Sequence, residues 1–225
     1  EPLEEVVDYF ERGGVLQLHR WGLLDQLVAS GTPPIRRAVF SYAHERVPVR
    51  IKPSAGVDAL YAPRRTVLDP ILVDAAEEAG ARVRYGITVG DLKRDRRGRV
   101  FGVVGRDAAG RPFEADAPIV IGADGVRSTV AERAGAAIER VGTGATAVIY
   151  GYWSDLSGDA YEWMFTPGVA AGLIPTNDGQ TCVFVGGRPS RIGRGRMRTL
   201  YEVLGQASAD VAARVEAATA PTGVR

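Results

Sequence analysis

The stretch IVIGADGVRSTV, residues 119–130, constrains the chain more than any other. A short apolar run, Ile119 to Ile121, reads as a strand buried on both faces. It runs into a turn of small residues holding one acid, Asp124, and then into the start of a helix. Strand, glycine-rich turn and helix N-terminus is the arrangement by which α/β proteins approach phosphate-bearing cofactors, because glycine lets the backbone come close. An acid there repels phosphate but accepts hydrogen bonds from ribose hydroxyls or an amide. An Asp-Gly turn that satisfies only its own backbone uses the same residues, so the rest of the chain has to decide.

Upstream, residues 13–31 place Val15, Leu16, Leu18, Trp21, Leu23, Leu24, Leu27 and Val28 near helical spacing, and Gly31, Pro33 and Pro34 end the pattern. This predicts one helix. AVFSYA and RVPVRIK predict short strands, and VDALYAPRR leads from a strand into a helix. On that helix Leu68, Ile71, Leu72, Ala75 and Ala79 share a face, with Gly80 as its C-terminal cap. Three alternating segments between residues 81 and 118, separated by RRG and AAG, predict an antiparallel meander. After Gly135, TAVIYGYWSDL, YEWMFTP, VAAGLIPT and QTCVFVGG predict four strands dense in aromatics: Tyr150, Tyr152, Trp153, Tyr161, Trp163 and Phe165. One or two helices close the chain. The order predicts a mixed α/β architecture with two interleaved lobes.

Composition narrows the chemistry. With 28 Lys+Arg against 27 Asp+Glu, the net charge of +1 favours neither nucleic acid nor a membrane surface. Cys182 stands alone, so no intrachain disulfide can form. His19 and His44, the only histidines, lack metal-ligand spacing. His19 reads as structural, and His44 has no identifiable partner. No apolar run reaches the ~20 residues of a membrane span, and the acidic EPLEEVVDYFERGG is not a signal peptide. A cytoplasmic protein is the expectation. The absent initiator Met and the opening residues suggest a central excerpt of a longer chain.

Three segments together resemble the FAD-dependent aromatic hydroxylases of the p-hydroxybenzoate hydroxylase type. VIGADGVRSTV resembles the family's DG motif, with Gly122, Ala123, Asp124, Gly125, Arg127 and Ser128 in place. RRTVLDPILVDAAEEAGARV resembles its R-x-x-L-x-x-x-L helix through Arg65, Leu68 and Leu72. ERGGVLQLHRWGLLDQLVASG resembles the segment whose leading arginine contacts FAD, here Arg12. The resemblance implies an FAD-binding lobe (residues 1–35 and 63–138) interleaved with a mixed-sheet substrate lobe (36–62 and 139–225). It implies Arg12, Arg65, Gly122, Asp124 and Gly125 as cofactor contacts and assigns no catalytic base. It also implies an NAD(P)H-driven monooxygenase acting on an aromatic or polycyclic small molecule, partly lined by the aromatics of residues 150–165. The family's opening G-x-G-x-x-G and its later G-D motif are missing from this sequence.

Related readings share the framework. Flavin-dependent halogenases carry W-x-W-x-I-P, which would fall on AAGLIP; Ala170 and Gly172 replace the tryptophans and only Ile174 and Pro175 match, which disfavours halogenation. Reductases of the geranylgeranyl type would use the same helix, since it serves the flavin. A non-enzymatic module binding a small apolar ligand on an aromatic sheet is the reading from a different class. The oligomeric state is not legible.

Overall fold

A computed structural model describes residues 12–42, 45–142, 144–156 and 158–225. The acidic N-terminal stretch and His44 lie outside the described residues. The chain divides into two compact units: residues up to Gly80 together with Gly144–Arg225, and Ala81–Thr143.

The first unit is built on a mixed six-stranded sheet. Its strands are β1 (Arg37–Tyr42), β2 (Glu45–Arg50), β6 (Ala147–Trp153), β7 (Tyr161–Thr166), β8 (Val169–Pro175) and β9 (Thr181–Gly187), in the order β2-β1-β7-β8-β9-β6. Only β1 and β7 pair in parallel; the neighbouring pairs are antiparallel. All four strands expected after Gly135 form, and a short helix, α5 (Pro189–Ile192), follows β9.

Alternation along these strands sorts side chains to two faces. One face carries Ile149, Met164, Leu173, Val183 and Val185, all buried against α6 (Met197–Ala207) and α7 (Ala209–Glu216). Ser208 separates these two helices and caps the second by accepting from the Val211 N–H at 3.3 Å. Glu162, on the same face, accepts two hydrogen bonds from Arg214 of α7 at 3.0 and 2.9 Å. The opposite face carries Phe40, Tyr150, Tyr152, Tyr161, Trp163 and Phe184, whereas Trp153 lies on the helix-covered face against Tyr201.

A second cluster forms around Val15, Leu18, Leu23, Leu27, Val57 and Leu68. It joins α1 (Arg12–Arg20), α2 (Leu24–Ala29) and α3 (Arg65–Glu78). The single helix expected over residues 13–31 is therefore two. Gly22 adopts φ +74, a left-handed conformation that ends α1. The hydrophobic pattern continues across the break because both short helices bury the same side. In α3, Leu68 is buried and Ile71, Leu72 and Ala75 pack beside it, as the spacing predicts. Gly80, at φ +95, donates its N–H to the Glu77 carbonyl just past the helix.

The second unit holds the expected meander: β3 (Ile87–Arg94), β4 (Val100–Asp107) and β5 (Pro112–Asp116). Its two turns repeat one design. In DRRGR, the Asp95 carboxylate accepts the N–H groups of Arg97 and Arg99; in DAAGR, Asp107 accepts those of Ala109 and Arg111. Gly98 and Gly110 supply the positive φ. Lys93 reaches across Gly102 to Asp116 at 2.5 Å and Glu114 at 2.9 Å.

The expected buried strand at residues 119–121 does not form. That stretch pairs with no strand among the described residues, and Ile119 and Ile121 are 74% and 83% exposed. A strand needs a ladder partner for its N–H and C=O groups; apolar composition alone cannot supply one.

Candidate functional site

The turn after residue 121 is organised by Asp124. The Ser128 hydroxyl donates to one carboxylate oxygen at 2.5 Å, and the Val130 N–H donates to the other at 3.2 Å. Ser128 in turn caps α4 (Thr129–Ala134), its oxygen accepting from the Ala131 N–H at 2.9 Å. These bonds favour the ionised form, so the Asp124 carboxyl sits below its ordinary value, chiefly through Ser128. Asp124 is exposed, and an ionised carboxylate has lone pairs beyond the two used here. It is a fixed anion able to accept further donors.

The glycines around it have separate reasons. A Cβ on Gly122 would lie 2.7 Å from the Val130 Cβ, so any side chain there displaces the start of α4. Gly125 takes φ +82, which side-chain-bearing residues rarely adopt. The result is a turn with bare backbone on either side of its acid, which suits a hydroxyl-rich ligand such as the ribose of a dinucleotide.

Arg12, Arg65 and the turn residues fall in different units: Gly122, Asp124 and Gly125 share one turn of the second, while Arg12 and Arg65 belong to the first. Arg12 opens α1 and donates to the Lys52 carbonyl. Arg65 opens α3 and forms a two-point pair with Asp69 one turn on, at 2.6 and 3.0 Å. His19 sits against Gly56, where a Cβ would approach its Nε2 to 2.5 Å. It is a packing contact between α1 and the 54–57 turn, consistent with a structural histidine.

The aromatic face lies on the first unit. Phe40, Trp163, Gly172, Phe184 and Tyr150 occupy one cross-strand row. Gly172 is the low point of that row. Trp163 and Phe184 meet edge to face over it, their centroids 5.5 Å apart, and a Cβ on Gly172 would stand 2.4 Å from the Phe184 ring. Trp153 and Tyr161 are fully buried, while Tyr150, Trp163 and Phe165 remain half-buried. The aromatics of residues 150–165 thus divide between fully buried and half-buried positions.

The residue that sequence reasoning missed is Arg64. It is 6% exposed, its guanidinium lies 3.9 Å above the Tyr152 ring, and it donates to Gln180 at 2.5 Å. It lines a cleft of about 520 Å³ with Tyr150, Tyr152, Ser154, Gln180 and residues 219–225. Nothing in RR separates a buried arginine from an exposed one; the only signal was its place just before a strongly patterned helix.

The family profile described as FAD binding domain matches residues 8–213. Among solved structures, PqsL of Pseudomonas aeruginosa, in complex with 2-aminobenzoylacetate, is similar at TM-score 0.75 and 18% identity over 100% of this chain and 63% of its own. A second structure of PqsL, a probable FAD-dependent monooxygenase, is similar at TM-score 0.75 and 18% identity. The myxobacterial chondrochloren halogenase CndH is similar at TM-score 0.80 and 19% identity over 99% of this chain and 55% of its own. A flavoprotein/dehydrogenase from Cytophaga hutchinsonii reaches 0.77 and 21% over 92% and 53%. The chain thus spans about half to three-fifths of the length of these structures, and the shared fold is that of the hydroxylase type. Among the described residues, no helix is long and apolar enough to cross a membrane.

Proposed function

Because the chain belongs to the FAD binding domain family, we propose that the whole protein is an FAD-dependent oxidoreductase, and within that class an NAD(P)H-driven monooxygenase of an aromatic or polycyclic small molecule. The observation that carries this is the turn at Asp124: an ionised acid held open by Ser128 and Val130, flanked by Gly122 and Gly125. When bound, FAD supplies the redox chemistry, taking a hydride from the reductant and activating dioxygen. The chain's own residues bind and orient. Asp124 accepts from a ribose hydroxyl of the cofactor. Gly122 and Gly125 keep side chains out of its way. Arg12 and Arg65 supply cationic donors at the openings of α1 and α3.

The aromatic face from Phe40 to Tyr150 offers a dry, flat wall to a planar substrate. An aromatic ligand in PqsL supports that substrate class. The fold is shared with halogenases, yet Gly172 is covered by the Phe184 ring, so the halogenase tryptophan has no room there. That favours oxygenation over halogenation. The proposed lobes, 1–35 with 63–138 for cofactor and 36–62 with 139–225 for substrate, follow the same reading.

The test is NAD(P)H oxidation with parallel oxygen uptake by the whole protein. A monooxygenase consumes dioxygen when an aromatic substrate is added. A reductase of the geranylgeranyl type oxidises NAD(P)H without that uptake, and a binding module does neither.

A further inference from the structure

We infer that the segment between β9 and α6, with the first turn of α6, is a docking surface for an anionic lipid bilayer, carried by Arg188, Arg191, Arg194, Arg196 and Arg198. The inference rests on charge and placement and is independent of the cofactor reading above.

The chain is nearly neutral on average but polarised in detail. Residues 179–201 hold these five arginines and no acid, so with a net charge of +1 the rest of the chain sums to −4. All five arginines are exposed. Arg198 pairs with Glu202 at 2.7 Å and Arg191 donates to Gln206. Arg188, Arg194 and Arg196 make no hydrogen bond or ion pair among the described residues. The strand ends beside them add no acid. Ala147, at the start of β6, and Val169, at the start of β8, both pair with Gly187 at the end of β9. Segments 141–154 and 163–177 contain no Asp or Glu. At this end of the sheet Glu45 stands on β2, three strands away from β8.

The arginine segment is pinned to the core. Ile192, 2% exposed, joins the cluster under the helix-covered face. Gly193 and Gly195, at φ +59 and +66, turn the chain around it, and the Gly195 N–H donates to the Ile192 carbonyl at 3.3 Å. The cations are thus held together at one pole of the sheet. A guanidinium matches a phosphate diester through two parallel N–H groups. A bilayer presents such groups as a continuous surface, which one charged pole can meet while the rest of the molecule stays in water. Val148, 51% exposed and paired with Gly186 near the same end, offers an apolar side chain to the interfacial layer. Nucleic-acid channels interleave cations with aromatic rings, and residues 188–200 hold no aromatic. A protein partner would seat its anchors in packed, desolvated pockets, whereas these five arginines are all exposed.

The probes are vesicles of phosphatidylcholine alone and of phosphatidylcholine with about 30% phosphatidylglycerol, sedimented with the whole protein. The parent is expected to bind the anionic vesicles roughly 100-fold or more tightly than the neutral ones, since each cation at the surface contributes about five-fold. Replacing the three unpaired cations together, Arg188→Gln, Arg194→Gln and Arg196→Gln, should weaken that binding about 100-fold. Replacing three exposed arginines elsewhere, Arg82→Gln, Arg96→Gln and Arg140→Gln, changes the net charge equally and should leave it within about three-fold, because their charges lie outside the contact. Equal binding to the two vesicles, no binding to either, a loop variant that binds like the parent, or a control that loses as much overturns the inference. So does release by inorganic phosphate at the same phosphorus concentration, which would make the loop a site for single anions, or retention of duplex DNA without retention of vesicles. If the loop variant does not fold, salt decides on the parent. At about 1 M the screening length falls to about 3 Å, and the parent should leave the anionic vesicles; binding that persists contradicts the assignment.

Discussion

Asp124 is tied down by a hydroxyl and a backbone N–H that both favour its charged form. Its folded value therefore lies below the ordinary 3.8. The contribution is present above the unfolded value and is lost as pH falls through the lower, folded one. An NMR titration should place its carboxyl midpoint below that of an unfolded reference, and Ser128→Ala should move it back up. Cys182 shows the opposite case. Burial pushes its thiol up to about 12 from 9.0. Its contribution to stability is complete below 9.0 and is lost as pH climbs toward the folded value, because the unfolded chain ionises first. At pH 8 a disulfide reagent should leave native Cys182 unmodified and label it fully in denaturant; rapid native labelling would contradict its burial. At Gly172, Gly172→Ala places a Cβ against the Phe184 ring and 3.0 Å from the Glu162 carbonyl. A loss of about 1–3 kcal/mol in denaturant unfolding is expected.

Elements whose signal is local were legible in the sequence. The meander turns carry their mechanism in D-x-x-G-R, where the Asp carboxylate bonds the N–H groups two and four residues on. The patterning of α3 predicted which side of it is buried. Elements that depend on a distant partner were not legible. Residues 119–121 are apolar enough for a strand but pair with none. The break at Gly22 was hidden because α1 and α2 feed one cluster and so keep one pattern. Arg64 escaped notice because its burial comes from Tyr152, Gln180 and Asn177, all far along the chain. Asp124 and its glycines were legible because the turn is made by neighbours in sequence. Two predictions belong at this scale. Gly122→Ala should disturb the start of α4 through Val130, weakening FAD retention at least ten-fold while the six-stranded sheet keeps its thermal transition. Glu162→Ala should loosen α7 from its sheet, since Arg214 loses two charge-assisted bonds. The expected cost is about 1–2 kcal/mol in chemical denaturation, and Glu162→Gln, which keeps one acceptor oxygen but neither the second nor the charge, should recover only part of it.

At the scale of the whole molecule, one unit carries an aromatic sheet and the other a turn built around an anion. The six-stranded sheet has one face closed by α6 and α7, and its second face carries the aromatic row beside a buried cluster of Ile35, Leu60, Ala62, Tyr161 and Cys182. In the proposed reading the cofactor contributes the reactive centre and the chain's task is to hold and to orient. The central claim is that this chain belongs to a protein that holds FAD through the Asp124 turn. The most direct measurement is the visible absorption spectrum of the whole protein, desalted after incubation with FAD, beside that of Asp124→Ala. Flavin bands retained by the parent and sharply reduced in the folded variant are the predicted result. A folded parent that retains no flavin, or a variant that retains as much as the parent, would contradict the account.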